Sequence, residues 1–229
     1  MIPAAAQAPQ NETALEKTAR RSPLGQLLHA LNQPLTGLQC SMEVALAAPR
    51  TPEQYARGLR EGLELTGRMR ALAEALREVA DIGEEKTVNR ETAELASLLR
   101  EAVEELVPVA EVKNVRIAVD FSRASSFAVR AGRAQMASAI FRLVDSVVSL
   151  ALRGTVLRIE AGSEPSQLWI RMRWQAEGPR SACSRPELGL LIAQARLERS
   201  GAEWERAETQ SEGMETLTVR LPWVASGVL

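Results

Sequence analysis

The chain has 229 residues, 45% of them hydrophobic and only 3% aromatic, enough apolar mass for one large domain or two small ones and too much for a disordered chain. Abundant Ala, Leu, Glu and Arg favour helices over an all-β sandwich. A formal net charge of −1 excludes a general binder of nucleic acid or of an anionic membrane, either of which needs an excess of basic charge.

The opening MIPAAAQAPQNETALEK lacks a basic head followed by an apolar stretch, and no run approaches the roughly 18 apolar residues of a membrane span. Cys40 and Cys183 stand far apart with no metal-ligand spacing, which suits a reducing compartment, so a cytoplasmic location is expected. Residues 1–22 read as a flexible N-terminal segment. Nothing ahead of the first helix is long enough for a sensor domain, so any input is expected from elsewhere.

From Leu24 the apolar residues fall at Leu24, Leu28, Leu31, Leu35, Leu38, Met42 and Ala45, an alternation of fours and threes that predicts the seam of a bundle helix. Thr51, Pro52 and Gln54 write the next helix start: threonine caps, proline takes the first turn, and glutamine stands where a capping box needs it. Leu65, Met69, Leu72, Leu76 and Val79 repeat the seam before Gly83 ends the helix. The segment 23–83 is therefore an αα-hairpin whose apolar seam calls for a second copy, giving a dimeric four-helix bundle.

A polar connector covers 84–93, with Glu84 and Glu85 read as a solvated charge pair, and the pattern then changes. A helix is predicted over 94–107, followed by short strands in VRIAVDF and SFAVRAG and a long helix in RAQMASAIFRLVDSVVSLAL. In TVLRIEAG and QLWIRMRW, Leu157, Ile159, Ile170, Met172 and Trp174 alternate as one buried face, which leaves Arg171 and Arg173 on the solvated one. A helix over 187–199 and the strands AEWERAE and METLTVRLP close the chain. The fold class is α+β: a helical hairpin, then over 94–229 an α/β sandwich with helices on one face of a mixed sheet. Trp169, Trp174, Trp204 and Trp223 read as core or edge residues, and Cys40 as structural.

His29 is the only histidine. With Leu28 facing the core, His29 lies about 100° round the helix among Ser22, Gly25, Gln26, Asn32 and Gln33, so it points outward. Pro34, one turn on, removes the donor for the Ala30 carbonyl and bends the helix. A Ser-His-Asp hydrolase lacks its G-x-S-x-G elbow here, and one His with two distant Cys cannot make a zinc site. The readings left are a solvated surface histidine and a nucleophile towards phosphorus.

The stretch HALNQPLTGL resembles the H-box of sensor histidine kinases that reads H-E-L-N-Q-P-L-x-x-I. His29, Leu31, Asn32, Gln33, Pro34 and Leu35 match at the right spacing. From residue 23 onward the chain resembles that family's dimerisation and phosphotransfer hairpin followed by a Bergerat-type ATP-binding domain. The resemblance implies that His29 is the phosphoacceptor, that Asn32 and Gln33 give partner-binding or phosphatase-type support, and that the hairpin docks a response-regulator receiver domain.

Four departures from the pattern concern the chemistry. The acidic residue that follows the phosphoacceptor, which orients the imidazole and acts as base, is Ala30 here. The asparagines that hold Mg²⁺ and phosphates correspond to Arg142 and Ser146; serine ligates weakly and arginine does not bind a metal. The aspartate that accepts a hydrogen bond from adenine corresponds to Trp174, which has no acceptor. In the last glycine motif Gly189 is kept, while Glu187 replaces the first glycine and would repel a triphosphate; GPRSACSRP is also short for an ATP lid. The expectation is a histidine phosphotransfer protein without ATP-dependent autophosphorylation and with no cofactor of its own, Mg²⁺ coming from the partner receiver domain. The alternatives are a non-catalytic dimeric scaffold or inhibitor of a receiver or kinase, and a divergent active kinase.

Overall fold

The computed structural model describes residues 22–84, 92–123, 128–176, 184–209 and 213–224. Most of the expected N-terminal segment, most of the connector with Glu85, and the stretch 177–183 with Cys183 lie outside them. Two helices come first, α1 (Pro23–Ala47) and α2 (Pro52–Glu84). The capping box forms as read: the Thr51 amide donates to Gln54 Oε1 at 3.0 Å, and the Gln54 amide to Thr51 Oγ1 at 3.3 Å. The helices approach closely where a side chain is missing, since a Cβ built on Gly62 would stand 3.3 Å from Leu38 and one on Gly37 3.6 Å from Leu65. Gly83 lies within the last turn of α2, one residue before its end, and not beyond it.

The predicted seam of α1 is only partly the face this chain buries. Leu27, Ala30 and Pro34 are buried, Leu31, Leu38 and Ala45 half-buried, and Leu24, Leu28, Leu35 and Met42 remain 45–59% exposed. The helix carries two adjoining apolar stripes, and period alone does not say which faces α2. The inner stripe, one residue out of register with the predicted one, packs inside the chain.

Beyond the connector come β1 (Thr92–Glu94), α3 (Leu95–Lys113), β2 (Arg116–Arg123), β3 (Ala128–Arg130) and α4 (Arg133–Leu150). The chain then continues through β4 (Val156–Glu164), β5 (Gln167–Gln175), α5 (Arg185–Arg199), β6 (Glu203–Thr209) and β7 (Met214–Val224). The strands run in the order β1-β3-β7-β5-β4-β2, with β6 also paired to β7; β2 and β4 are parallel and the other pairs antiparallel. The three-residue β1 is too short to show a period in sequence. Helix α3 runs past Pro108 to Asn114, whose left-handed backbone (φ 57°) caps it. Pro108 lies on the exposed side, where a carbonyl that loses its donor faces solvent and not the core, and the helix continues past the expected end at 107.

Helices α3, α4 and α5 cover one sheet face. Leu157, Ile159, Ile170, Met172, Trp174, Leu217 and Val219 of the sheet form one buried cluster with Leu95, Leu99, Ile140, Leu143, Val147, Ala193 and Leu197 of the helices. The α+β sandwich is as expected, and so is the alternation along β5. On the outer face Arg171 lies over the Trp169 ring, 5.1 Å from its centroid, and Arg173 pairs with Glu160. Gly162, opposite Trp169, is required to be glycine because a Cβ would stand 2.6 Å from that ring.

Candidate functional site

Ser22 opens α1 by accepting the Gly25 amide on its hydroxyl at 3.1 Å, and Pro23 takes the first helical position. Along the helix that follows, Leu27 and Ala30 turn inward and His29 outward. His29, Asn32 and Gln33 are all exposed and, at spacings of three and four, share one face of α1. The Thr36 hydroxyl donates to the Asn32 carbonyl at 2.9 Å. No described side chain makes a hydrogen bond or ion pair with the His29 imidazole. Cys40, two turns beyond Gln33, is an exposed free thiol and not a packed structural residue.

Ala30 has a part that the sequence did not reveal. It is 5% exposed and belongs to an apolar cluster with Leu27, Leu72, Ala75 and Ile82 of the hairpin and Leu188 and Ile192 of α5. A carboxylate at this position would enter that cluster instead of standing in solvent beside the imidazole.

Among the other positions that depart from the kinase pattern, Trp174, Glu187 and Ser146 are built into the second domain's own packing, and Arg142 reaches the hairpin. Trp174 is fully buried in the sheet-side core, its Nε1 without a hydrogen-bond partner among the described residues. The Arg206 guanidinium lies over its ring, 5.9 Å from the centroid. Arg206 holds Glu187 bidentately, at 2.7 and 3.0 Å, and also donates from Nε to Glu215 at 2.8 Å. Burial would by itself lower the Arg206 pKa, but the Glu187 carboxylate and then Glu215 outweigh it and raise it. Glu187 is thus a neutralised carboxylate in the first turn of α5, where the helix dipole also favours it, and the expected bare repulsion of a triphosphate does not describe it.

Ser146 is buried against Gly189, where an added Cβ would lie 2.3 Å from the serine hydroxyl, so α4 and α5 touch at these two positions. Arg142 Nη2 pairs with Glu78 Oε1 of α2 at 2.9 Å. Where the resemblance implies an adenine acceptor, a metal ligand and a phosphate-facing glycine, the structure has a core indole, a paired guanidinium and a paired carboxylate. Beside them a groove of about 740 Å³ separates α2 from α4 and α5, lined among others by Glu74, Glu78, Asp145 and Arg185. Sequence reasoning missed Glu78, Arg206 and Glu215. The one signal available was Glu78, a carboxylate sharing the helical face of Ala71, Ala75 and Ile82.

No protein-family model matches the sequence, nor does any curated protein. Solved structures do. The Acinetobacter baumannii histidine kinase AdeS superposes with a TM-score of 0.53 at 13% identity, over 87% of this chain and 98% of that one. A histidine kinase from Burkholderia phymatum STM815 gives 0.52 at 19% identity, over 93% and 99%. The fold is histidine-kinase-like. ShkA, solved full-length in complex with AMPPNP, gives 0.55 at 15% identity, over 90% of this chain and 47% of its own. The histidine-kinase-like fold covers both the hairpin and the sandwich. At these identities it conveys architecture and leaves the activity to the residues. No helix among the described residues is long and apolar enough to cross a membrane.

Proposed function

We propose that this protein is a cytoplasmic histidine phosphotransfer protein of two-component signalling. It accepts and donates phosphoryl groups at His29 with response-regulator receiver domains and does not phosphorylate itself from ATP. The observation that carries the reading is the Trp174 indole, fully buried at the position where the kinase pattern has its adenine-binding aspartate. His29, in the same chain, stays in solvent where another protein can reach it.

The chemistry suits what remains. The unprotonated nitrogen of a neutral imidazole attacks the phosphorus of an aspartyl phosphate. An N–P bond forms, the acyl P–O bond breaks, and the aspartate leaves as carboxylate while the ring keeps the hydrogen on its other nitrogen. The donor is activated and the receiver brings Mg²⁺ and a lysine, so neither an adjacent base nor a nucleotide pocket is needed. Leu24, Leu28, Leu35 and Met42 on α1, with Leu59 and Leu63 on α2 at 71% and 73% exposure, supply the apolar face for a second copy. The homodimer is part of this proposal, as is support of the transfer, or of receiver dephosphorylation, by Asn32 and Gln33.

The test is incubation with a receiver domain labelled on its aspartate. Acid-labile label is expected on the wild-type chain and none on His29→Ala; equal label on both, or none on either, would sink the reading. A second reading, a scaffold that binds a receiver or kinase without carrying phosphate, draws on the absence of any described group that orients the imidazole. It predicts that a receiver is captured equally by wild type and His29→Ala with no transfer to either.

A further inference from the structure

Helix α2 places residues 71, 75, 78 and 82 on one face, at spacings of four, three and four. Three of them are Ala71, Ala75 and Ile82, which pack in the apolar cluster against Leu188 and Ile192 of α5. The fourth is Glu78. A half-buried carboxylate beside such a stripe is favoured where cations meet it, and here two come from two different helices. Arg142 of α4 reaches Glu78 Oε1 at 2.9 Å, and Arg196 of α5 reaches the same oxygen at 3.5 Å. One turn on, Arg199 Nη1 donates to the Gly83 carbonyl at 2.7 Å, in the open last turn of α2. Three arginines of the second domain thus converge on about two turns of the hairpin, around an apolar contact that already joins the two parts.

We propose that Glu78 is a latch that fixes the second domain on the flank of the hairpin, so that the two behave as one rigid, cooperatively folding unit. The inference holds whether or not His29 carries phosphate. The apolar cluster supplies the attraction but little orientation, because apolar contacts slide. Ion pairs of defined geometry at half-buried sites add little net stability yet select one arrangement over others. Removing the anion takes from Arg142 and Arg196 the carboxylate they share at the edge of the apolar stripe. The guanidinium of Arg142 at the metal-ligand position of the kinase pattern then has a structural meaning: the site that would bind a metal is committed to the join. A domain held in this way does not travel as an arm. It presents α4, α5 and the hairpin to any partner as a single surface, with the 740 Å³ groove as a fixed cleft between them.

The sequence provides two independent probes of the join. All four tryptophans, Trp169, Trp174, Trp204 and Trp223, lie in the second domain, so their fluorescence reports on that part alone. Far-ultraviolet circular dichroism is dominated by helix, much of it in α1 and α2. Thermal unfolding of the full chain at fixed protein concentration is expected to give coincident midpoints by the two probes in the wild type. In Glu78→Arg the midpoints are expected to separate by about 5 °C or more, tryptophan fluorescence changing apart from the helical signal. Reversing the partners as well, in the triple variant Glu78→Arg, Arg142→Glu and Arg196→Glu, is expected to restore coincidence. Separate midpoints in the wild type, or coincident and unshifted midpoints in Glu78→Arg, would overturn the latch. If Glu78→Arg does not yield folded protein, Glu78→Gln takes its place: separated midpoints support the proposal, and wild-type behaviour overturns it.

Discussion

Replacing Trp174 by aspartate restores the residue that the kinase pattern carries, and it asks whether the indole is core or an occupant of a nucleotide site. The side chain is fully buried in the cluster that joins the sheet to α4 and α5. A tryptophan buries about 150–250 Å², which at about 25 cal/mol per Å² is worth about 4–6 kcal/mol. Removal of large aromatics from cores costs about 3–5 kcal/mol, in agreement with that figure. The new carboxylate adds a desolvation penalty, which Arg206 offsets only in part because its donors are already engaged by Glu187 and Glu215. A loss of at least about 3–5 kcal/mol lowers the melting temperature of a chain this size by about 6–20 °C. Trp174→Phe is expected to lose less, because it keeps most of the apolar volume and removes a buried indole donor that has no described partner. Calorimetric melting gives the first quantity, and titration with Mg-ATP is expected to show no binding by either variant. A Trp174→Asp protein that melts within about 2 °C of wild type and binds Mg-ATP would refute the reasoning. It would mean that the indole merely occupies a pocket which still accepts nucleotide.

Ala30→Glu puts a carboxylate into the cluster of Leu27, Leu72, Ala75 and Leu188; it should destabilise the chain by about 2 kcal/mol or more in denaturant titration, without bringing autophosphorylation. Gly189→Ala drives a methyl to 2.3 Å from the Ser146 hydroxyl oxygen and is expected to cost about 1–3 kcal/mol by overpacking, while Ser146→Gly in the same chain should recover most of that loss. Leu28→Glu with Leu35→Glu, both about half exposed at 50% and 49%, should leave the secondary structure intact by circular dichroism and shift the sedimenting species from dimer to monomer.

What was legible in the sequence follows from how local each signal is. The capping box of α2 and the alternation along β5 each depend on a few neighbouring residues, and both stand where expected. The strand β1 and the continuation of α3 past Pro108 were not legible. The first is shorter than one period of any pattern, and the second depends on which side of the helix faces water. His29 was placed outward correctly, although the seam used to place it is the outer of two apolar stripes. One residue of rotation separates the stripes, and His29 lies beyond both.

The sequence by itself determined the order of the elements other than β1, the exposed face with His29, Asn32 and Gln33, and the residues Ala30, Arg142, Ser146, Trp174 and Glu187 that depart from the pattern it resembles. Residue identity alone tells whether an acceptor or metal ligand is present, so those needed no coordinates. Only the tertiary structure decided what the departing residues do instead. Ala30 and Trp174 fill two separate cores, Glu187 is tied to Arg206, and Arg142 reaches across to Glu78. The ion-pair partners are distant in sequence, Glu187 and Arg206 lying 19 residues apart and Arg142 and Glu78 64 residues apart across the connector. Such pairs have no common local pattern: the packing of α5 beside β6 brings Glu187 to Arg206, and its packing on the hairpin and on α4 brings Arg142 to Glu78.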